Sequence, residues 1–337
     1  MKMCLQKITE KEHLSFDEAY ELMNKIMSGK ANNSEIAGLL MALKVKGETS
    51  EEIAGFATAM RANSIKIKCD DENVIDVCGT GGDNSGSFNI STAVAFVAAG
   101  AGVSVAKHGN RSVSSKSGSA DVLQQLGINI ELTREESEAV LNKIGVAFLF
   151  APLYHPAMKY AAHVRRELGV KTVFNLLGPL TNPAGVQKQI IGTYNNSAAK
   201  TLAGAASYLD HKRVCFLCSE DKYDEIYLGG ITGIHEYNCR EEIKYYELTN
   251  ESFFYPNVTP EQIQGGSPEV NAKIIMDVFE NRTPTGAFHT VAANTALALY
   301  AAGFSNNLNE CKAAAEESIL SGAALKKLNT LKYFRIV

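Results

Sequence analysis

VIDVCGTGGDNSGSFNIST, residues 74–92, is a strand, a glycine turn and a helix start run together. Residues 74–78 form a short apolar run of strand type. The run passes directly into Gly79-Thr80-Gly81-Gly82-Asp83, continues through 84–88, and Asn89-Ile90-Ser91-Thr92 then opens an apolar helix that reaches Gly100. Such a unit makes an anion site, because the unpaired N–H groups of the helix's first turn point out of its positive end. Neither of the two commonest glycine loops fits. A dinucleotide fingerprint needs GxGxxG, and counting on from Gly79 reaches Gly81 and then Asn84. A nucleotide P-loop ends in Gly-Lys-Ser/Thr, where this chain has Asp83. Asp83 would repel a bare phosphate, so it reads as an acceptor for sugar hydroxyls or as an outer ligand to a metal that neutralises the phosphate. Ser91 and Thr92 read either as helix caps or as phosphate and metal ligands.

A second loop of complementary charge follows. Residues 103–106 read as the next strand and deliver KHGNRSVSSKSGSAD, residues 107–121. Lys107, Arg111 and Lys116 supply positive charge, His108 can add some, and the serines and glycine-exposed N–H groups supply short donors, which together suit phosphate. Taken alone, the loop could also be a solvated surface segment, which is the lesser reading. Both loops leave the C-terminal ends of strands expected to be parallel, so they converge on the sheet edge where open α/β folds hold ligands.

Outward from these loops, short apolar runs alternate with helices. Residues 146–150, 189–192 and 214–218 read as buried strands of a central, mostly parallel sheet, and 118–126, 157–168 and a stretch capped by Thr133 and Glu136 as helices. FNLLGPLTNP at 174–183 reads as a fixed, uncharged loop. Beyond Pro256 the chain is mostly helical, with 286–302 strongly apolar, and the end from Leu325 reads as a surface or edge segment. Residues 1–70 read as helical throughout. Capping boxes at Ser15/Glu18 and Thr49/Glu52 precede apolar residues at helical spacing, and Gly29 and Gly47 act as stops. The expected organisation is α/β: a small helical domain over 1–70 that packs without chemistry of its own, and a larger domain over 71–337, with part of 157–185 packed on the helical one.

The chain has 337 residues, 33 basic against 37 acidic with a net charge of −4, and a 45% apolar share. That length supports one large or two unequal domains, and no global field draws the chain to nucleic acid or membrane. Any basic site must be local. Seven cysteines form an odd set without framework spacing, which reads as reduced thiols in an intracellular protein. Cys215 and Cys218 make a CxxC, but on a strand positions three apart face opposite sides, which argues against redox or zinc use. The N-terminus lacks an apolar run of signal-peptide or membrane length, so the expected location is the cytoplasm. Three further places carry chemistry. Pro152 and His155, after the strand at 146–150, could line a pocket for a flat ligand. Arg165 and Arg166 project about 100° apart on a helix, so at most one faces a pocket. Asp224 and Glu225 lie in an acidic turn at a strand end, either simply solvated or holding magnesium, which favours a few carboxylates plus substrate oxygens.

CGTGGD at 78–83, NIST at 89–92, the 107–121 loop, VRRELG at 164–169, FNLLGPLTNP at 174–183 and DE at 224–225 jointly resemble the anthranilate phosphoribosyltransferase family, in order along nearly the whole chain. The resemblance implies a helical domain beside a nucleoside phosphorylase-like α/β domain, usually as a homodimer. It also implies transfer of a phosphoribosyl group from phosphoribosyl pyrophosphate to anthranilate in tryptophan biosynthesis. By it, phosphoribosyl pyrophosphate would meet Gly79, Gly82, Asp83, Ser87, Asn89, Ile90, Ser91, Thr92, Lys107, His108, Gly109, Asn110, Arg111, Ser112, Val113, Ser114, Ser115 and Ser119. Ser91, Asp224 and Glu225 would hold Mg2+. Anthranilate would meet Asn110 and Arg165, with Gly79, His108, Pro152 and His155 around it, and no side chain would act as nucleophile.

The chain departs from the family pattern at Lys222-Tyr223, where Gly-Leu is usual, and at Phe288-His289, where Arg-Asp is common. The first change could alter the mobility of the metal turn. Two other readings share the fold. A pyrimidine nucleoside phosphorylase should carry a Lys-His-Ser-Thr-Gly-Gly loop that this chain lacks, and a nucleic-acid-binding paralogue should show a basic stripe with aromatics.

Overall fold

The structure is a computed structural model that describes residues 1–83, 85–112, 116–239, 241–280 and 285–335. Four helices come first: α1 Lys2–Thr9, α2 Phe16–Met27, α3 Asn33–Lys46 and α4 Ser50–Ala62. Local chemistry sets their starts. Ser15, Asn32 and Thr49 each accept the N–H of a glutamate three residues on, whose carboxylate returns to the cap's own N–H. Their inner faces, including Leu22, Ile26, Leu40 and Phe56, share one core with Ala161, Val164, Phe174 and Leu177 from far along the chain. Helix ends at Ala62 rather than near residue 70, and the chain then crosses to the sheet, with the N–H groups of Ile65 and Ile67 donating to Tyr154 O and Pro183 O.

From there strands and helices alternate: β1 Ile75–Gly79, α5 Ile90–Gly100, β2 Val105–Gly109, α6 Ser119–Gln125, α7 Arg134–Ile144, β3 Val146–Phe150, α8 Ala151–Tyr154, α9 Lys159–Leu168, α10 Val173–Leu177, β4 Lys188–Gly192, α11 Asn196–Ala206 and β5 Arg213–Ser219. The antiparallel pair β6 Thr232–Asn238 and β7 Lys244–Leu248 then closes one edge, and α12 Pro268–Phe279, α13 Gly286–Ala302, α14 Leu308–Leu320 and α15 Ala323–Lys332 complete the chain. Strand order is β3-β2-β1-β4-β5-β6-β7, with the first five parallel. The order reverses between β1 and β4, and the C-terminal ends there form the crevice that such sheets offer to ligands. α5 and α13, apolar on nearly every face, pack against each other beneath it.

Four expectations change. Lys107 and His108 belong to β2, not to a loop, because they pair with Phe148 and Leu149 of β3. Residues 174–183 are mostly helical, as α10 and a 3-10 turn over Gly178–Thr181, packed into the helical core. The edge strands β6 and β7 were not anticipated. The C-terminal segment is a helix whose Ala324, Leu328 and Leu331 are buried, so it is core rather than edge. The CxxC lies on a buried strand, as expected. Cys215 and Cys218 are buried on β5 as free thiols, and burial pushes Cys218 up to about 12.

Candidate functional site

The strand ends open on a cavity of about 870 Å³. Gly79, Gly82, Asp83, Ser87, Asn89, Ser91, Lys107, His108, Gly109, Asn110, Arg111, Ser112, Ser119, Pro152, His155, Arg165, Asp224 and Glu225 all line it. Val113, Ser114 and Ser115 lie outside the described residues. Ile90 and Thr92 lie off the cavity wall. Ile90 is in the core, and Thr92 is buried with its Oγ1 unpartnered among the described residues. Neither Ser91 nor Thr92 caps α5, whose N-cap is Asn89.

One end of the cavity is acidic. Gly81 and Gly82 turn the loop after β1 through left-handed backbone, at φ 65° and 73°, and deliver Asp83. Asp224 and Glu225 arrive from the turn after β5, so that one oxygen of each of the three carboxylates lies within 4.8 Å of the others. Gly79 and Gly192 face each other across β1 and β4 and form a notch for Asp224. A Cβ on Gly79 would stand 2.3 Å from Asp224 Oδ2, and one on Gly192 would stand 1.7 Å from the Asp224 carbonyl oxygen. The turn itself is pinned, since Ser219 Oγ donates to Glu225 O at 2.6 Å and Ile226 N donates to Asn294 Oδ1 at 2.9 Å. Burial and then the neighbouring Asp83 charge push Asp224 up to about 6, and burial with Asp224 pushes Glu225 well above the carboxylate range. Asp83 Oδ2 is buried without a hydrogen-bond partner among the described residues. Three crowded oxygen ligands suit a small divalent cation such as magnesium. Tyr223, a departure from the family pattern, is buried and stacks on Tyr227 with ring centroids 4.4 Å apart, which anchors the turn rather than loosening it.

The opposite charge comes from beneath and beside. Lys107 is buried and donates to Val77 O at 2.6 Å and Ser91 Oγ at 3.1 Å, stitching β2 to β1 and α5. Burial lowers its pKa, and Asp76 opposes the shift. Arg111 bonds Asp121 at 2.9 Å, and Asp121 also accepts the N–H groups of Ser112 and Gly118, which ties the two ends of the second loop together.

The far end takes its charge from Lys159 and Arg165 of α9. His108 and His155 are buried with ring centroids 5.1 Å apart, and burial holds them down at about 3 and about 4, so both stay neutral. Arg165 is half-buried, stacks over Phe174 at 5.0 Å and lines the cavity, whereas Arg166 is exposed and does not. Several residues have no motif to betray them. Lys171 Nζ donates to the carbonyl of Gly82, tying the segment after α9 to the glycine loop. Residues 263–266 strap that loop from the other side, with Gly265 N donating to Gly86 O at 2.8 Å and Phe88 N to Ile263 O at 3.0 Å. Asn271 joins them at the cavity wall.

Comparison with known proteins agrees with this geometry. Residues 71–325 match the glycosyl transferase family α/β domain, and residues 2–64 match the helical bundle domain of the same family. The anthranilate phosphoribosyltransferase of Salinibacter ruber is 43% identical over 334 residues, covering 98% of this chain and 97% of that protein. The Thermus thermophilus anthranilate phosphoribosyltransferase structure superposes with a TM-score of 0.91 at 38% identity, covering 97% of this chain and 98% of that one. The Saccharomyces cerevisiae enzyme in complex with PRPP and Mg gives 0.87 at 27% identity, covering 98% and 97%. With its two-domain architecture, its sheet and its whole length matched, this chain belongs to the anthranilate phosphoribosyltransferase family.

Proposed function

We propose that the chain transfers the phosphoribosyl group of 5-phosphoribosyl 1-pyrophosphate to the amine of anthranilate, giving N-(5-phosphoribosyl)anthranilate and pyrophosphate, as a step of tryptophan biosynthesis. The observation that carries this reading is one cavity with two unlike ends. Three crowded carboxylates sit among donor-rich loops at one end, and a half-buried arginine sits beside a neutral histidine wall at the other. In the reaction the amine nitrogen bonds to ribose C1, the C1–O bond breaks with its electron pair leaving on pyrophosphate, and the nitrogen sheds a proton. Gly79, Gly82, Ser87, Asn89, Ser91 and the 107–119 segment hold the donor's phosphates and ribose. Asp83, Asp224 and Glu225, with Ser91, would hold magnesium, which when bound neutralises the departing pyrophosphate. Arg165 pairs with the anthranilate carboxylate. His108 and His155 present no competing charge there, and Asn110 and Pro152 complete the wall. Catalysis is then positioning and leaving-group neutralisation, without a nucleophilic side chain.

We further propose a cytoplasmic homodimer, supported by exposed Met3 and Val45 on neighbouring α1 and α3, which sedimentation tests. Among the described residues no helix is long and apolar enough to cross a membrane. The activity is tested by mixing the protein with anthranilate, phosphoribosyl pyrophosphate and Mg2+, with a chelated control. Magnesium-dependent loss of anthranilate fluorescence with pyrophosphate release is the expected result. Binding of phosphoribosyl pyrophosphate without that loss would shift the acceptor to another amine.

A further inference from the structure

We propose that Asn271, on α12 and outside every motif of the site, is a positioning residue that fixes which way Asn89 presents its amide to the phosphate end of the cavity. This rests on the function proposed above. Hydrogen-bond polarity fixes the orientation of both amides. Gly266 N lies 2.7 Å from a terminal atom of Asn271, and a backbone N–H can only donate, so that atom is Oδ1. The other terminal atom is therefore the NH2, and it donates to Asn89 Oδ1 at 2.8 Å. The same Asn89 oxygen accepts the Ser117 hydroxyl at 3.2 Å. That leaves Asn89 Nδ2 to donate at 3.1 Å to Ser117 O, a backbone carbonyl that can only accept. The relay begins on a fixed donor and ends on a fixed acceptor, and both ends demand the same orientation of both amides.

Asn271 is 2% exposed, so water does not compete for its bonds. Its single side chain joins the 263–266 strap, the start of α5 and the second phosphate loop, three segments that local sequence does not connect. The strap is itself held to the glycine loop, with Gly265 N donating to Gly86 O at 2.8 Å and Phe88 N to Ile263 O at 3.0 Å. Without the Asn271 donor, Asn89 is held by Ser117 alone, and its amide is free to turn over toward the cavity.

The test is a double-mutant cycle of Asn89→Ala and Asn271→Ala, read as separate KM values for phosphoribosyl pyrophosphate and anthranilate, with calorimetric binding of phosphoribosyl pyrophosphate and Mg2+ in parallel. N271A removes two buried hydrogen bonds, and loss of the one to Asn89 predicts that it raises the KM for phosphoribosyl pyrophosphate roughly tenfold while leaving kcat at saturation and the anthranilate KM nearly unchanged. The double variant should be no worse than N89A. N271D, which sets oxygen against oxygen, should be at least as impaired as N271A, and N271S, which keeps a short donor, should recover part of the loss. N271S also serves if the alanine variant does not fold. Additive effects in the cycle, or an N271A whose only defect is a lower Tm, overturn the inference alone. A wild-type protein that binds no phosphoribosyl pyrophosphate overturns the function and the inference together.

Discussion

Gly192→Ala puts the notch around Asp224 under direct stress. The new Cβ would stand 1.7 Å from the Asp224 carbonyl oxygen, and ordinary contact begins at 3.4 Å, so the turn must retreat by about 1.7 Å, the difference of the two. Side-chain rotation does not relieve this, because the clash is with backbone. Retreat also breaks the Ser219–Glu225 and Asn294–Ile226 hydrogen bonds that hold the turn. Overpacking of this kind costs roughly 1–3 kcal/mol of stability, and a misplacement of about 1 Å at a reacting site costs on the order of 100-fold in rate. G192A should therefore lower kcat/KM for phosphoribosyl pyrophosphate about 100-fold and raise the Mg2+ concentration needed for half-maximal rate. Gly79→Ala is the milder partner, since its Cβ meets Asp224 Oδ2, the end of a movable side chain, at 2.3 Å. It should shift Mg2+ dependence with a smaller loss of rate. The assay is the fluorescence reaction across a magnesium series, with thermal unfolding to confirm folded protein. A folded G192A with wild-type kcat/KM and Mg2+ dependence would refute the notch.

Arg165→Ala should raise the anthranilate KM between roughly 10- and 100-fold, the worth of a charge-assisted pair, while Arg166→Ala stays within about twofold; steady-state kinetics in the reverse order would mean that the exposed arginine is the ligand. Glu52→Ala should cost about 3–5 kcal/mol in chemical or thermal unfolding. The Glu52 carboxylate is fully buried and accepts from Lys46, Leu14 N and Thr49 N, so its loss leaves a buried lysine without its counter-charge and two backbone N–H groups without their acceptor; unchanged stability would count against this. Acid should destabilise the fold through His108, His155 and His211, which burial holds at about 3, about 4 and about 3. Their folded values lie below the unfolded one, so the unfolded state binds more protons, and their contribution is full above about pH 6.5 and is lost as pH falls toward the folded values. Between pH 7 and 5 each neutral histidine should cost up to about 2 kcal/mol, read as a falling Tm that a His211→Gln variant partly flattens.

What could be read from sequence was what short-range chemistry decides. The capping boxes at Ser15, Thr49 and Thr133 start their helices because cap and partner lie three residues apart. Val146–Phe150 and Gly286–Ala302 stand at the bounds their apolar runs suggest. What escaped depends on distant partners. Lys107 and His108 look like loop residues until β3 pairs with them, and β7 has exposed Lys244, Tyr245 and Glu247, so the ladder to β6 rather than an apolar pattern makes it a strand. Lys171 and Asn271 are ordinary polar residues in sequence. Only the packing of α9 and α12 beside the glycine loop gives them a task.

Asp83 is where the two kinds of information meet. In the sequence it contradicts the phosphate loop that contains it, and no neighbouring residue resolves the contradiction. In the structure it is joined by Asp224 and Glu225, so the local charge becomes more negative rather than less. The nearby buried cation, Lys107, sets one positive charge against these three carboxyl groups, and its Nζ is held by Val77 O and Ser91 Oγ. Pyrophosphate entering such a site, as proposed above, would face three carboxyl groups and would need a cation to arrive with it. On the function proposed above, the acidic loop would tie donor binding to magnesium and disfavour the free pyrophosphate anion. That dependence would follow from where Asp83 stands, and it would make the metal a condition of recognition as well as of bond cleavage.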